Sequence, residues 1–273
     1  MIGVELRKLC RSPRTWVSIA LLCGLPALVA VFLAVTRIGT GPGQQTAFLS
    51  AVLANGALFP AAALAIVLPI FLPVAVAIVG GDAIAGEAGS GMLRYLLVRP
   101  VGRTRLLVAK LVALVAFTLL AVVAVAVSAY AVGVALFPPQ PGAEAVVVTS
   151  VSGPALTMTQ LFLRVAMTVG YIVVSMLGVG AIALFLSTVT DSALGATLGA
   201  LAALVGSQVL ITLDAAGAVR PYLPTRYWLA WIDLFREPIL WRDVERGLAI
   251  QGVYVLVFLG LGWANFATKD VKS

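Results

Sequence analysis

The chain has 273 residues, 62% hydrophobic and 11% charged, with 18 Lys or Arg, 11 Asp or Glu, no histidine and a net charge of +7. A soluble domain carries about 25% charged residues, so this composition excludes an ordinary soluble protein, and recurring apolar runs of about 20 residues mark a helical membrane protein. The missing histidine removes His-based metal sites and Ser-His-Asp chemistry, and the positive charge gathers at membrane flanks, with no nucleic-acid-binding motif.

Residues 1–14, MIGVELRKLCRSPR, form an amphipathic pattern with Ile2, Leu6 and Leu9 on one helical face and Glu5, Lys8 and Arg11 elsewhere. This predicts an interfacial helix on the inner membrane surface, ended by Ser12-Pro13. The first span is expected at 16–35. Its apolar run exceeds a signal-peptide core of about 7–15 residues, so it reads as a retained span. Cys10 and Cys23 imply no disulfide framework and read as small apolar fillers. The apolar run 48–79 is too long for one straight crossing. Asn55-Gly56 and Pro60 separate an outer piece from span two, placed at 57–80, and Pro69 and Pro73 are expected to kink that span.

Residues 81–105 read as a cytoplasmic loop. From 81 to 110 the chain holds five of its basic residues, Arg94, Arg99, Arg103, Arg105 and Lys110, against Asp82 and Glu87. Short cytoplasmic loops carry such a Lys/Arg excess. Gly86, Gly89 and Gly91 are expected to loosen the backbone. The stretch 92–98, apolar apart from Arg94 and including Met92, Leu96 and Leu97, predicts a short helix that stops before Pro100. Two fates are open to it: lying flat on lipid headgroups, or plugging into a groove on a soluble partner.

Span three is expected at 106–137, followed by an outer loop at 138–160 whose VVVTSV suits a short strand. Span four follows at 161–186, with Arg164 near its outer end. Residues 187–192, including Ser187 and Asp191, read as a tight inner turn. Span five, at 193–213, opens with Gly195-x-x-x-Gly199, a small-residue face that permits close helix packing. The outer loop 214–247 interleaves Tyr222, Tyr227, Trp228, Trp231 and Trp241 with charges, the signature of an interfacial belt. Its stretches 227–235 and 238–246 predict outer-surface helices dipping into the headgroups. Span six, 248–266, leads to Lys269 and Lys272 on the inner side. With both termini inside, eleven of the eighteen basic residues face the cytoplasm.

No G-x-x-x-x-G-K-[ST] is present, so the chain has no loop of its own to cradle ATP phosphates. Zinc-protease and serine-hydrolase signatures are also missing. Asp82 and Glu87, in a glycine-rich loop, are poorly fixed for paired acid–base work. Lys110, Arg164 and Asp214 fall near span ends, and a lack of mid-membrane ionisable residues argues against a proton-coupled carrier.

The run DAIAGEAGSGMLRYLLVRPVGRTRLLVAK resembles the loop between spans two and three of ABC-2 type transporter permeases. Glu87, Gly91, Leu96-Leu97, Pro100, Arg103 and Lys110 stand at the matching places, while Met92 replaces a threonine common in the family. The likeness extends along the chain to the small six-span permeases and, more distantly, to the permease of nitrous-oxide-reductase copper maturation. It implies an all-α integral membrane protein with six transmembrane helices, an N-terminal interfacial helix, a cytoplasmic coupling helix and short outer re-entrant or interfacial helices before the last span. It also implies a non-catalytic permease subunit of a bacterial inner-membrane exporter, with an amphipathic, lipid-like or drug-like substrate. The implied partners are an ABC ATPase in two copies, carrying ATP and Mg, a second permease chain (identical or closely related) and membrane lipids. Contact with the ATPase would fall on Glu87, Gly91, Met92, Arg94, Leu96, Leu97, Pro100, Arg103, Ser187 and Asp191. The alternative is a non-transporting scaffold or mechanical transmitter between a cytoplasmic ATPase and an envelope partner.

Overall fold

The computed structural model describes residues 1–36, 56–89, 103–138, 148–149, 155–213 and 217–268. The protein is an all-α integral membrane protein: six helices among the described residues are long and apolar enough to cross a membrane. They follow an N-terminal helix, α1 (Ile2–Arg11), and are α2 (Pro13–Thr36), α4 (Phe71–Gly89), α5 (Arg103–Leu136), α6 (Met158–Val189), α7 (Ala193–Thr212) and α8 (Trp241–Thr268). A shorter apolar helix, α3 (Phe59–Val67), precedes α4. Antiparallel β1 (Val148–Thr149) and β2 (Ala155–Leu156) lead into α6.

At the centre is α6, which packs against α4, α5, α7 and α8. Its start is a capping box: the Thr157 hydroxyl accepts from the Gln160 amide, and the Gln160 side chain accepts from the Thr157 amide. These bonds satisfy two donors that a helix start would otherwise leave orphaned. The core is apolar and continuous, running from Leu64, Leu68 and Leu72 through Phe117 to Ile172 and Met176. Most outward residues of α2, α7 and α8 are apolar and exposed, as suits faces turned to lipid.

Three features depart from the sequence expectations. The apolar run 48–79 breaks at a turn over 68–70, beside Pro69, so α3 is a separate buried helix and the crossing piece starts at Phe71. Second, α4 does not stop at 80 but continues through Gly89, so Asp82 and Glu87 lie on a helix and not in a loop. Glycine disfavours helix interiors by about 1 kcal/mol relative to alanine, yet packing here requires it. A Cβ on Gly81 would lie 2.4 Å from the Thr197 hydroxyl and 2.9 Å from the Thr197 amide, so α4 and α7 approach through this glycine. Of the face of Gly195 and Gly199, Gly195 has only local neighbours in Ser192 and Thr190, whereas a Cβ on Gly199 would meet Leu186 of α6 at 3.1 Å.

Third, the aromatic segment 217–240 turns part of its apolar and aromatic side chains into the protein. It forms 3-10 turns at Arg220–Tyr222 and Ala230–Phe235, and residues 241–246 already belong to α8. Trp228, Trp231 and Phe235 are buried, while Tyr222 and Trp241 stay exposed as a belt requires.

Candidate functional site

Four charged side chains from three helices meet where α4 ends and α5 begins. Lys110 of α5 donates to Glu87 Oε1 of α4 and, at 3.1 Å, to Glu5 Oε2 of α1. Lys8, one turn further along α1, donates to the same Glu87 oxygen at 2.7 Å. The side chains of Lys110 and Glu87 are only 3% and 7% exposed. Two cations and two anions make the cluster neutral, which is how buried charge is tolerated. Burial pulls the Lys8 ammonium down. The hydrogen bond and charge of Glu87, with the charges of Glu5 and Asp82, outweigh it and hold its pKa above the ordinary lysine value.

The sequence pointed to Glu87 and Lys110 but not to their partners on α1. The apolar pattern assigned Glu5 and Lys8 away from the packed face, whereas the structure turns Glu5 inward beside Leu9. The signal was available as charge balance: a lysine entering a span needs an acid, and Glu5 with Lys8 supplies an opposite pair three residues apart.

Further ties surround this cluster. Arg103, at the start of α5, donates to the carbonyls of Phe266 at 3.1 Å and Ala267 at 2.9 Å. A guanidinium there complements the C-terminal end of α8. Thr104 accepts from the Trp263 indole at 2.9 Å, and Asn265 donates to the Thr188 carbonyl at 3.0 Å. The end of α8 is thus fastened to the start of α5 and the end of α6.

Ser187 is not in a turn. It lies on α6, which continues to Val189, and it is fully buried. Its hydroxyl accepts from the amides of Ile84 at 3.0 Å and Ala85 at 2.8 Å and donates to the Gly81 carbonyl at 2.7 Å. One hydroxyl offers one donor and two acceptors, so all are used. The side chain enters the backbone ladder of α4 at one turn, a cause of helix bending. Its burial makes Ser187 an internal joint between α4 and α6. Asp191 is exposed in the turn between α6 and α7, whose first helical turn is capped by the Ser192 hydroxyl accepting from the Gly195 amide at 3.1 Å. A Cβ on Gly89 would meet the Asp191 carbonyl at 3.3 Å, so the end of α4 touches this turn.

Of the residues singled out in sequence, Glu87, Arg103, Ser187 and Asp191 therefore converge on one end of the bundle. Gly91, Met92, Arg94, Leu96, Leu97 and Pro100 lie outside the described residues. Among the described residues no group of three or more His, Cys, Asp or Glu is placed to hold a metal ion.

No curated protein matches the chain. A family model described as "ABC-2 family transporter protein" matches residues 1–226, from α1 through the first 3-10 turn of the aromatic segment. That span holds the ionic cluster, the Ser187 joint and five of the six crossing helices, and the chain belongs to the ABC-2 transporter family as a multi-pass membrane protein, the permease subunit of an ABC transporter.

Proposed function

We propose that the chain is the permease of an ATP-driven exporter for an amphipathic, lipid-like or drug-like substrate in a bacterial cytoplasmic membrane, with both termini in the cytoplasm. A separate ATPase in two copies holds ATP and Mg, and a second permease chain, identical or closely related, completes the translocation path. The stretch 92–98 docks on the ATPase with Leu96 and Leu97 in a groove and Arg94 at its rim, where a charge governs orientation more than affinity. The observation that supports this reading is the fastening on both sides of 90–102. Glu87 before it is tied to α1 and α5, and Arg103 after it to α8. A push on the intervening residues is thereby passed to four helices at once.

The test is co-purification with an ABC ATPase from the same cell, followed by flux and hydrolysis assays in vesicles. Leu96→Asp or Leu97→Asp places a charge in a desolvated groove and is expected to uncouple hydrolysis from flux while membrane insertion survives. Unchanged flux and hydrolysis in both variants would refute the docking role. Substrate-independent hydrolysis with no flux in the unaltered complex would favour the mechanical transmitter instead.

A further inference from the structure

A cavity of about 370 Å³ opens beside the ionic cluster, between α2 and α7, with α4 and α5 behind it. Its volume is that of a small-ligand pocket. Its charged groups are the four-residue cluster's Glu5, Lys8 and Lys110, which already neutralise one another with Glu87, and the pair Arg14 and Asp82. Arg14 of α2 and Asp82 of α4 are 3.5 Å apart, with side chains 82% and 47% exposed. Such an open pair contributes little to stability, so both groups can exchange partners at low cost.

The hydroxyls of Ser12 and Ser18 line the same cavity and make no hydrogen bond among the described residues. Thr15 and Thr197 also line it, and the rest of the wall is apolar, including Leu114 and Leu194. Beyond the mouth, Val17 and Leu21 on α2 and Leu194 and Leu198 on α7 are exposed. An occupant would therefore meet one open cation–anion pair and unengaged hydroxyls at the polar end of the cavity, and hydrocarbon walls on the way out.

We infer that this cavity binds the headgroup of phosphatidylethanolamine from the leaflet on which α1 lies, with the acyl chains passing out between α2 and α7. The phosphate takes Arg14 with the Ser12 and Ser18 hydroxyls, and the ammonium takes Asp82. Two features select this headgroup. Once the cluster is neutral, Arg14 and Asp82 leave no net charge, which matches a zwitterion better than an anionic lipid. Asp82 also needs N–H donors, which the quaternary ammonium of phosphatidylcholine lacks. Charge-assisted hydrogen bonds of this kind are stronger than neutral ones. The site is independent of the transported substrate and of the docking of 92–98.

Native mass spectrometry of the full chain, delipidated and re-equilibrated with phosphatidylethanolamine, phosphatidylglycerol or phosphatidylcholine, tests it. Retention of phosphatidylethanolamine should exceed both others by about tenfold, the worth of one charge-assisted bond. Asp82→Asn should abolish that preference and favour phosphatidylglycerol, because Arg14 is then uncompensated. Ser18→Ile, which fills the cavity without touching the charges, should lower all three. Melting curves followed by tryptophan fluorescence identify any variant that fails to fold. Equal retention of the three lipids, or an unchanged preference in folded Asp82→Asn, would overturn the proposal. So would displacement by soluble phosphoethanolamine at the same concentration as the lipid, since the acyl chains would then contribute nothing.

Discussion

Where residues 217–240 close over α6 and α8, side chains of the spans donate to backbone carbonyls. Tyr171 reaches Tyr227 at 2.6 Å, Gln251 reaches Pro224 at 2.6 Å, Tyr254 reaches Tyr222 at 3.1 Å and Arg164 reaches Arg236 at 2.9 Å. Arg164 also forms an ion pair with Glu237 of this cap. The other end of α6 adds to its carbonyl contacts from Arg103, Ser187 and Asn265 an ionic network of Glu5, Lys8, Glu87 and Lys110 that joins three helices. The contrast follows from what is being held. An irregular segment has carbonyls with no helical partner, and buried ones must be satisfied in place, so the cap is bonded backbone by backbone around Trp228 and Trp231. Regular helices have free backbone groups only near their ends, where Arg103 takes the last carbonyls of α8, so most of the joining falls to side chains, and Lys8 and Lys110 share one Glu87 oxygen. The ionic end has two cations on one carboxylate oxygen, an arrangement in which partners can be exchanged.

The largest effects should come from removing one central group at each end. Trp231→Ala empties a fully buried aromatic site in the cap and should cost about 3–5 kcal/mol in stability. Glu87→Leu leaves Lys110 buried against Glu5 alone and should cost a similar amount, about 3–5 kcal/mol. The ends differ in rescue. Lys110→Leu added to Glu87→Leu should recover most of the stability, because an apolar pair replaces an ion pair at little cost, but should not recover ATPase-coupled flux. Thermal unfolding and vesicle flux measured on the three variants would decide. Recovery of both properties in the double variant would mean that the charges serve packing alone.

Ser187→Ala should have an intermediate effect, about 1–3 kcal/mol, because buried amides of Ile84 and Ala85 lose an acceptor. The comparison is Ser207→Ala in the cap, which removes one hydroxyl pair with Thr225 at 2.7 Å and should cost about 1 kcal/mol. Hydrogen exchange along α4 provides the sharper measurement. It should quicken at 84–85 in the first variant and stay unchanged in the second.

The six crossings were legible because hydrocarbon thickness imposes length and composition on each helix separately. Features that depend on two helices were not. Gly86, Gly89 and Gly91 read locally as loosening the backbone, yet α4 continues through Gly89, and the approach of Thr197 to Gly81 shows what a glycine inside this helix serves. Trp228 and Trp231 carry the composition of a lipid-interface belt, and whether such rings meet headgroups or a protein core is set by how the segment folds back on α6 and α8. Ser187 looked like a turn residue because it is polar at the edge of an apolar run, but a hydroxyl at a helix end also serves a neighbouring helix. Glu87 and Lys110 were legible as a pair of motif positions. Their joining through α1 was not, since an amphipathic pattern scores charges as outward by default.

The smallest expected effect isolates the exposed member of the ionic end. The Lys8 side chain is 57% exposed, so its bond to Glu87 is screened by solvent and Lys8→Met should cost under about 1 kcal/mol. Its pH dependence has a definite sign. The folded-state pKa lies above the ordinary 10.5, so the contribution is fully present below that value and is lost only as pH rises through the higher folded value. The seating of α1 should therefore be constant through the neutral range. Trp16 offers a reporter, since its indole donates to the Cys10 carbonyl at 2.8 Å across the junction of α1 and α2. Fluorescence differences between the unaltered chain and Trp16→Phe should stay flat with pH until the alkaline limit, and Lys8→Met should remove the alkaline step. A step near neutrality would assign the seating of α1 to some other group, because no histidine is present to titrate there.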